Sequence, residues 1–273
     1  MYAYPKHPLV SIIIPTHNRV NLLERALASC FSQTYKNIEI IVVVDGSTDD
    51  TVKRLSEFGG DLVVLHNKTS KGAPYCRNKG AKRASGVYLC FLDDDDELLP
   101  AKIEKQLQFL EQPDCKDIGV LSCDMLKKGL GFEEVIVNRK RGDLFRDLLA
   151  KYCVQGIHTM LIRSNVFKQS GGFDEDLQSN QEYDLMIRMA RITRFDFIPE
   201  VLTVVYVTEG QISTNFRKKR DGTIHFIKKN HHLYKKYGFL FYITQMARLG
   251  TIVAVYQLSM YLGLRFYRLF VPS

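Results

Sequence analysis

Acidic side chains cluster at the ends of two apolar runs in the first hundred residues. Four consecutive aspartates, 93–96, follow one run, and Asp45 ends the other. Neighbouring carboxylates repel one another and resist burial unless a positive charge compensates them. Because Mg²⁺ and Mn²⁺ prefer carboxylate oxygens, the aspartate run predicts a divalent metal that bridges the protein to a diphosphate. The alternative is that the acids only favour the start of a helix near Pro100, for which one or two would suffice.

Asp45 opens the segment DGSTDD at residues 45–50. Gly46 permits a turn, and the polar residues at 47–50 can cap the next helix. Capping does not account for Asp45, which is the last residue of its predicted strand. A carboxylate at that position can accept hydrogen bonds from a base or a ribose, so Asp45 is a predicted nucleotide ligand.

Other polar residues allow two interpretations each. Glu182 and Asp184 lie in the first turn of a helix predicted over 183–191, where composition alone favours a capping or dipole role. Arg77 is either a ligand or a solvated helix charge. His158 is either part of an acceptor pocket or a strand-end histidine, and His225 is considered as a metal ligand in a closed state. The segment 210–218 is either a closing lid or a solvated basic loop.

The elements that must position these residues alternate along the chain. Apolar β-branched runs predict strands at 10–14, 39–44, 62–66, 87–92, 118–123 and 159–162, with helical patterns between the first four. This order predicts a doubly wound, mostly parallel α/β sheet. Ligands bind such sheets at the carboxyl ends of the strands, so the polar clusters should share one crevice. No GxGxxG or P-loop spacing is present in the sequence.

Charge is distributed unevenly along the 273 residues. Residues 211–273 contain eleven Lys and Arg against one acid, whereas residues 1–210 contain 27 basic and 29 acidic residues. We therefore expect the basic tail to have its own partner, either an anionic membrane surface or a second subunit. Its longest uncharged stretch, 249–264, is sixteen residues, short of the roughly 20 that span a bilayer, and is expected to lie in the interface plane. Single scattered cysteines and the lack of a signal-peptide pattern predict a cytoplasmic site.

Six segments together resemble family-two glycosyltransferases of the GT-A fold. They are VSIIIPTHNR at 10–19, DGSTDDT at 45–51, RNKG at 77–80, FLDDDDE at 91–97, GGFD at 171–174 and QEYDL at 181–185. Each motif alone is modest, but their order and spacing match over residues 8 to about 210. The resemblance implies a GT-A domain over 1–210, with a nucleotide-binding half to about residue 100 and an acceptor half from 101 to 210. Residues 211–273 then form a basic, partly amphipathic helical extension.

The resemblance also implies the role of each site residue. The residues that it places at the nucleotide are Pro15, Thr16 and Asn18 on the pocket wall, Asp45 and Arg77 at a uracil base, and Asp93 at the ribose with Asp94 nearby. Asp95 matches the metal ligand of the DxD motif, with Mn²⁺ or Mg²⁺ as cofactor. Glu182 falls where the family places its catalytic base, and family members of this type invert the anomeric centre. The family usually has Asp there, often as Glu-Asp, so the longer Glu182 departs from the pattern, and Asp184 is the fallback candidate.

The activity that this implies is transfer of a hexosyl or N-acetylhexosaminyl group from a UDP-sugar to a hydroxyl of a glycan or lipid-linked acceptor, in bacterial surface or capsular polysaccharide synthesis. We expect the enzyme to dock by its tail on the cytoplasmic face of the membrane, with a homodimer interface as the rival and no nucleic acid as partner. Two other functional hypotheses remain open. One is a sugar nucleotidyltransferase, although residues 15–19 lack the glycine-rich basic signature of that class. The other is a membrane or nucleic-acid binding protein with a vestigial nucleotide site.

Overall fold

The chain folds around a single nine-stranded sheet. The computed structural model describes residues 7–137, 139–207 and 215–270, apart from the side chains at 59, 264, 265 and 268. The strands are β1 (Val10–Thr16), β2 (Ile38–Asp45), β3 (Val63–Asn67), β4 (Tyr88–Phe91), β5 (Glu97–Leu98), β6 (Ile118–Gly129), β7 (Phe132–Ile136), β8 (Leu161–Arg163) and β9 (Arg194–Val207).

The sheet order is β3-β2-β1-β4-β8-β6-β9-β5, and β7 pairs with β6. The first four strands are mutually parallel, as the apolar runs predict. Beyond β4 the pairing is mixed, because β8 runs antiparallel to β4 and β6 whereas β9 runs parallel to β6. The predicted α/β class is confirmed, and the parallel half of the sheet is the one that carries the aspartates.

Both faces of the parallel half are covered. Successive residues of β1 point to opposite sides, so Ile12 and Ile14 pack into one core cluster with Leu23, whereas Ile13 packs into the other with Phe91. All five side chains are at most 2% exposed. Burial on both faces explains why these strands are continuous apolar runs rather than alternating ones.

Nine helices surround the sheet in the part of the chain that the structure describes. They are α1 (Val20–Phe31), α2 (Thr51–Ser56), α3 (Ala73–Arg83), α4 (Lys102–Leu110), α5 (Phe145–Ala150), α6 (Ser164–Gln169), α7 (Gln181–Met189), α8 (Phe216–Tyr234) and α9 (Phe239–Arg268). The helix predicted over 183–191 is α7, which begins two residues earlier, so Glu182 lies inside its first turn. A short 3₁₀ helix, Ile157–Thr159, replaces the start of the strand predicted at 159–162.

The basic extension forms the helical hairpin α8–α9 and shares a core with the rest of the chain. Phe226, Leu233, Tyr234 and Leu249 are buried in the same cluster as Ile13. The boundary near residue 210 stays a prediction, and residues 208–214, which include most of the predicted lid, lie outside the described residues.

The length of α9 corrects one expectation. Counting only the uncharged stretch 249–264 made the tail too short to span a bilayer. The structure instead forms one continuous helical stretch, Phe239–Gly263, of 25 residues that is long and apolar enough to cross a membrane by length and composition alone. The difference arises because this stretch continues through Arg248, which the count of uncharged residues had excluded.

Candidate active site

A cavity of about 660 Å³ opens at the carboxyl ends of β1, β2 and β4. Seven of the nine predicted site residues line it, and these are Pro15, Thr16, Asp45, Arg77, Asp93, Asp94 and Asp95. The strand register explains the convergence, because Thr16 lies beside Val44 and Asp45 lies beside Asn67. Parallel strands that end in register bring their following residues to one edge of the sheet.

The first aspartate of the run is held by the helix that follows β3. Arg77, on α3, forms an ion pair with Asp93. Burial favours the protonated carboxyl, but the Arg77 guanidinium outweighs it and lowers the pKa of Asp93. The side chain of Arg77 is buried, and among the described residues its Nε has no hydrogen-bond partner. An unused buried donor on the cavity wall suits an anionic or carbonyl group of a ligand.

The next two aspartates share one arginine. Arg19 Nη1 donates to Asp94 Oδ1 and to Asp95 Oδ2, at 3.1 Å each. Asp94 is the more buried of the two and also accepts a hydrogen bond of 2.8 Å from Thr16 Oγ1. Asp94 therefore fixes the end of β1, whereas Asp95 lines the cavity and pairs with Arg19 there.

The fourth aspartate lies in a group that fits a divalent cation. Asp93, Asp96 and His158 each place one ligand atom within 4.8 Å of the others. Burial, and then the charges of Asp93 and Asp95, raise the pKa of Asp96 to about 8. Burial also lowers the pKa of His158 to about 4, which leaves a neutral imidazole able to act as a ligand. The carboxylates lie close together and repel one another, and a hard divalent cation would stabilise them in their charged form.

The carboxylate of Asp45 organises the loop over the pocket. It accepts hydrogen bonds from Asn67 Nδ2, Ser70 Oγ and the backbone amides of Lys71 and Gly72, at 2.7 to 3.0 Å. Burial opposes ionisation, but these bonds outweigh it and lower the pKa of Asp45 to about 2. Asp45 therefore stays charged and shapes the wall where a base would lie.

The turn after β2 requires a glycine. Gly46 has φ 68°, and a Cβ there would lie 2.7 Å from the amide nitrogen of Ser70. A larger residue would push away the loop that donates to Asp45.

Asn18 lies beside the cavity rather than on its wall. Its side-chain Oδ1 accepts hydrogen bonds from the backbone amides of Thr48 and Asp49, and its backbone amide donates to Ser47 Oγ. Asn18 adopts φ 53°, a conformation that asparagine tolerates better than most residues. It thus joins the loop after β1 to the loop after β2.

Glu182, on α7, interacts electrostatically with both members of the ion pair of Arg77 and Asp93. Its Oε2 accepts a 3.1 Å hydrogen bond from the amide of Ile157, which holds the carboxylate in one orientation. Burial raises the pKa of Glu182, the charge of Arg77 opposes that rise, and the charge of Asp93 adds to it. A half-buried carboxylate with a raised pKa, close enough to an ion pair at a cavity to feel its charges, has the properties of a general base.

The structure gives Asp184 and His225 positions away from the proposed chemistry. Asp184 is fully buried and accepts hydrogen bonds from Arg188, Lys229 and Asn230, so it holds helices together. His225 lines a separate cavity on α8, away from the aspartate run in this structure.

Comparison with known proteins places the chain in a family. Residues 11–165, more than half of the chain, match the family described as glycosyl transferase family 2. The chain belongs to this family. An uncharacterized glycosyltransferase of Rickettsia typhi is 37% identical over 210 residues, which cover 75% of this chain and 65% of that protein. One of Haemophilus influenzae is 33% identical over 189 residues, covering 68% and 64%. The chain thus spans slightly less than two thirds of these relatives.

Solved structures of glycosyltransferases share the fold of this family-two chain. S. aureus TarS 1-349 in complex with UDP-GlcNAc superposes with a TM-score of 0.62 at 21% identity, covering 80% of this chain and 66% of that one. The mannosyltransferase PcManGT from Pyrobaculum calidifontis, in complex with GDP-Man and Mn²⁺, also gives 0.62, at 20% identity, covering 96% and 78%. At this level of identity the likeness establishes the GT-A fold alone.

The structure adds residues to the family-two site to which sequence reasoning gave no clear role. In the sequence Arg19 is only the last residue of the motif at 10–19, yet in the structure it holds Asp94 and Asp95 together. Lys127 comes from β6 and lines the cavity beside the aspartates. Arg25 donates to the backbone oxygen of Asp95 and stacks on Tyr206, with its guanidinium carbon 3.8 Å from the ring centroid. A basic residue within a motif was the only available signal for Arg19.

Proposed function

We propose that this chain is a metal-dependent inverting glycosyltransferase that moves a sugar from a UDP-sugar to an acceptor hydroxyl. One observation carries the proposal. A single cavity at the carboxyl edge of the sheet combines three aspartates, Asp45, Asp93 and Asp95, with a half-buried glutamate, Glu182, that interacts electrostatically with Arg77 and Asp93 on its wall. This set offers a nucleotide pocket, ligands for a cation and a base in one place.

The donor would lie along the edge of the sheet. Pro15 and Thr16 form one wall, and the loop held by Asp45 forms the other, where a uracil would stack or bond. Arg77, with its unused Nε, is placed to bond a base or phosphate oxygen while its Nη2 holds Asp93. The ribose would meet Asp93, and Asn18 would keep the two loops of the pocket together.

The residues that would hold Mn²⁺ or Mg²⁺ are Asp95 and the neighbouring group of Asp93, Asp96 and His158. A cation bound there would stabilise the charge that develops on the leaving diphosphate. Arg19 shares the carboxylates of Asp94 and Asp95, so it sets how much negative charge the site presents to that cation.

Glu182 would accept the proton of the acceptor hydroxyl. As that oxygen forms its bond to the anomeric carbon, the bond from this carbon to the UDP oxygen breaks on the opposite side, which inverts the centre. The raised pKa of Glu182 brings it closer to the working pH, where a general base is most effective. The amide of Ile157 donates to Oε2 of Glu182 and would keep this carboxylate in one orientation during the transfer.

The donor class draws support from the solved structures that bind UDP-GlcNAc and GDP-Man. We favour a UDP-hexose or UDP-N-acetylhexosamine, and a glycan or lipid-linked acceptor in bacterial surface or capsular polysaccharide synthesis at the cytoplasmic side of the membrane. A nucleotidyltransferase, or a binding protein with a vestigial site, would need a different use of the same pocket.

The test is turnover with defined donors. Full-length protein with Mn²⁺ would be incubated with UDP-glucose, UDP-GlcNAc or GDP-mannose and an alkyl glycoside, and nucleoside diphosphate release would be measured with proton NMR of the product. We expect release from a UDP-sugar and a β-linked product from the α-linked donor. An α-linked product would contradict inversion. Pyrophosphate release from UTP and a sugar 1-phosphate, without transfer, would favour the nucleotidyltransferase.

A further inference from the structure

The exposed residues of α9 between 239 and 262 carry no charge. Twelve of the residues from 239 to 262 are exposed, and all are apolar or uncharged. They are Phe239, Leu240, Ile243, Thr244, Ala247, Gly250, Thr251, Ala254, Leu258, Met260, Tyr261 and Leu262. Phe239 and Leu240 are about 80% exposed, and only 17% of the hydrophobic stretch is buried. We call these twelve residues the outer face of α9.

Water is a poor environment for such a surface. A helix on the surface of a soluble protein normally presents charged and polar residues to solvent on the side away from the core. The outer face of α9 instead places its largest apolar side chains at its two ends and small ones between them. An uncharged strip about 36 Å long, at 1.5 Å per residue, indicates a partner that is itself apolar.

The opposite face of α9 is fixed to the protein. Leu249 and Val255 are buried, Leu249 lies in the core cluster that includes Tyr183, and the Gln257 side chain bonds Arg220 of α8. A helix that crosses a bilayer would have to leave these contacts. The geometry therefore suits a helix that lies in the plane of the membrane interface, with one face on the protein and the other in lipid.

The charges around α9 define the kind of surface it meets. Lys235 and Lys236 are exposed immediately before its first turn, and Arg217 and Lys218 are exposed at the start of α8. The one acid of the extension, Asp221, is paired with Arg220. A second copy of the chain would bring another strongly basic extension against this one, whereas an anionic bilayer offers both the apolar layer and the opposite charge.

We infer that the outer face of α9 lies in the interface of an anionic membrane, with the flanking lysines at the lipid phosphates. The inference deepens the proposed function, because a docked enzyme would hold its cavity beside lipid-linked acceptors. It rests on the proposed function for that consequence alone. The docking surface itself depends on α9 and its neighbours and can be tested without any substrate.

The experiment is vesicle flotation of the full-length protein. Vesicles of phosphatidylcholine alone would be compared with vesicles that also contain phosphatidylglycerol. The test variant is the double substitution Leu240→Glu and Leu258→Glu, on two exposed positions of the outer face. The matched control carries Val52→Glu and Leu130→Glu, which place the same two charges on apolar residues outside α9 that are 43% and 81% exposed. Mn²⁺-dependent UDP binding would be measured on every sample.

We expect wild type and the matched control to float with anionic vesicles, and the α9 double variant to bind at least about tenfold more weakly. Replacing Lys235 and Lys236 by Gln should reduce the preference for anionic over neutral vesicles. Wild type that stays unbound, or an α9 double variant that binds like wild type, would overturn the inference. A dimer in sedimentation equilibrium that the α9 double variant dissociates, without vesicle binding, would assign the face to a second copy. Loss of UDP binding in all samples would bear on the proposed function instead.

Discussion

The environment of Glu182 combines effects that oppose one another. Burial and the charge of Asp93 favour the protonated form, whereas Arg77 and the amide of Ile157 favour the carboxylate. The balance leaves the pKa above the ordinary 4.5 while the side chain keeps one orientation. A surface glutamate has neither property, because water both solvates it and lets it rotate.

Replacing Glu182 should separate binding from transfer. We expect Glu182→Gln to lower kcat by roughly 10²- to 10⁴-fold, since it removes proton acceptance, while affinity for UDP changes little. In wild type, kcat/KM should fall with decreasing pH through a pKa above 4.5, because only the deprotonated carboxylate is active. Steady-state kinetics across pH, with the exposed Asp176→Asn as the charge-matched control, would check this. Full activity in Glu182→Gln would remove the residue from the mechanism.

Residue identity alone predicted much of this site but not its connections. The aspartate run and Asp45 were recognisable because acids after buried strands are rarely structural. The links made by Arg19 and His158 were not, since each depends on residues more than 60 positions away in the sequence. The sequence shows that a glutamate, Glu182, stands where the family usually has an aspartate. It does not show that the amide of Ile157 holds this side chain.

Helix α8 supports the element that carries Glu182, the proposed base. Along one face it contacts the segment 179–184. The Asn180 side chain donates to Thr223 Oγ1, Tyr183 stacks on Phe226 with 4.9 Å between ring centroids, and Lys229 contacts Asp184 at 2.9 Å. The basic extension thus supports the proposed site, although none of its described residues lines the aspartate cavity.

Gly222 is the closest point of this contact. A Cβ at Gly222 would lie 2.4 Å from Ser179 Oγ and 2.5 Å from its amide nitrogen, so Gly222→Ala must shift α8 away from the start of α7. We expect a loss of about 1–3 kcal/mol in unfolding free energy and reduced kcat with UDP affinity retained. The matched control is Gly250→Ala on α9, which has no atom within 4 Å of the added Cβ and should gain about 0.5–1 kcal/mol.

Denaturant unfolding and steady-state kinetics would measure both variants. If Gly222→Ala were as stable and as active as wild type, the support of α7 by α8 would be without effect on catalysis.

Element prediction succeeded where local pattern decides structure. The first four strands are apolar on both faces, so their composition alone marks them. The sequence pattern does not predict β9, because Arg194, Asp196, Pro199 and Glu200 interrupt it, and its length depends on pairing with β6 across three register shifts. β5 has only two residues and exists only because β9 lies beside it.

The whole molecule divides its charge between two tasks. Acidic residues lie around the cavity at the edge of the sheet. The basic residues of 211–273 lie on a hairpin that packs against α7 on one side and presents an uncharged helix face on the other. The sequence located both charges correctly. It could not place the basic extension against α7, because no local pattern records which helix packs beside which.

The central claim is that the aspartate cavity binds a nucleoside diphosphate through a divalent cation. The most direct measurement is calorimetric titration of UDP into the full-length protein, with Mn²⁺ and with chelator, for wild type, Asp95→Asn and the exposed control Asp114→Asn. We predict binding that requires Mn²⁺, is at least about tenfold weaker in Asp95→Asn and is unchanged in Asp114→Asn. Equal binding with chelator, or in Asp95→Asn, would contradict the metal site, and no binding under any condition would contradict the uridine pocket itself.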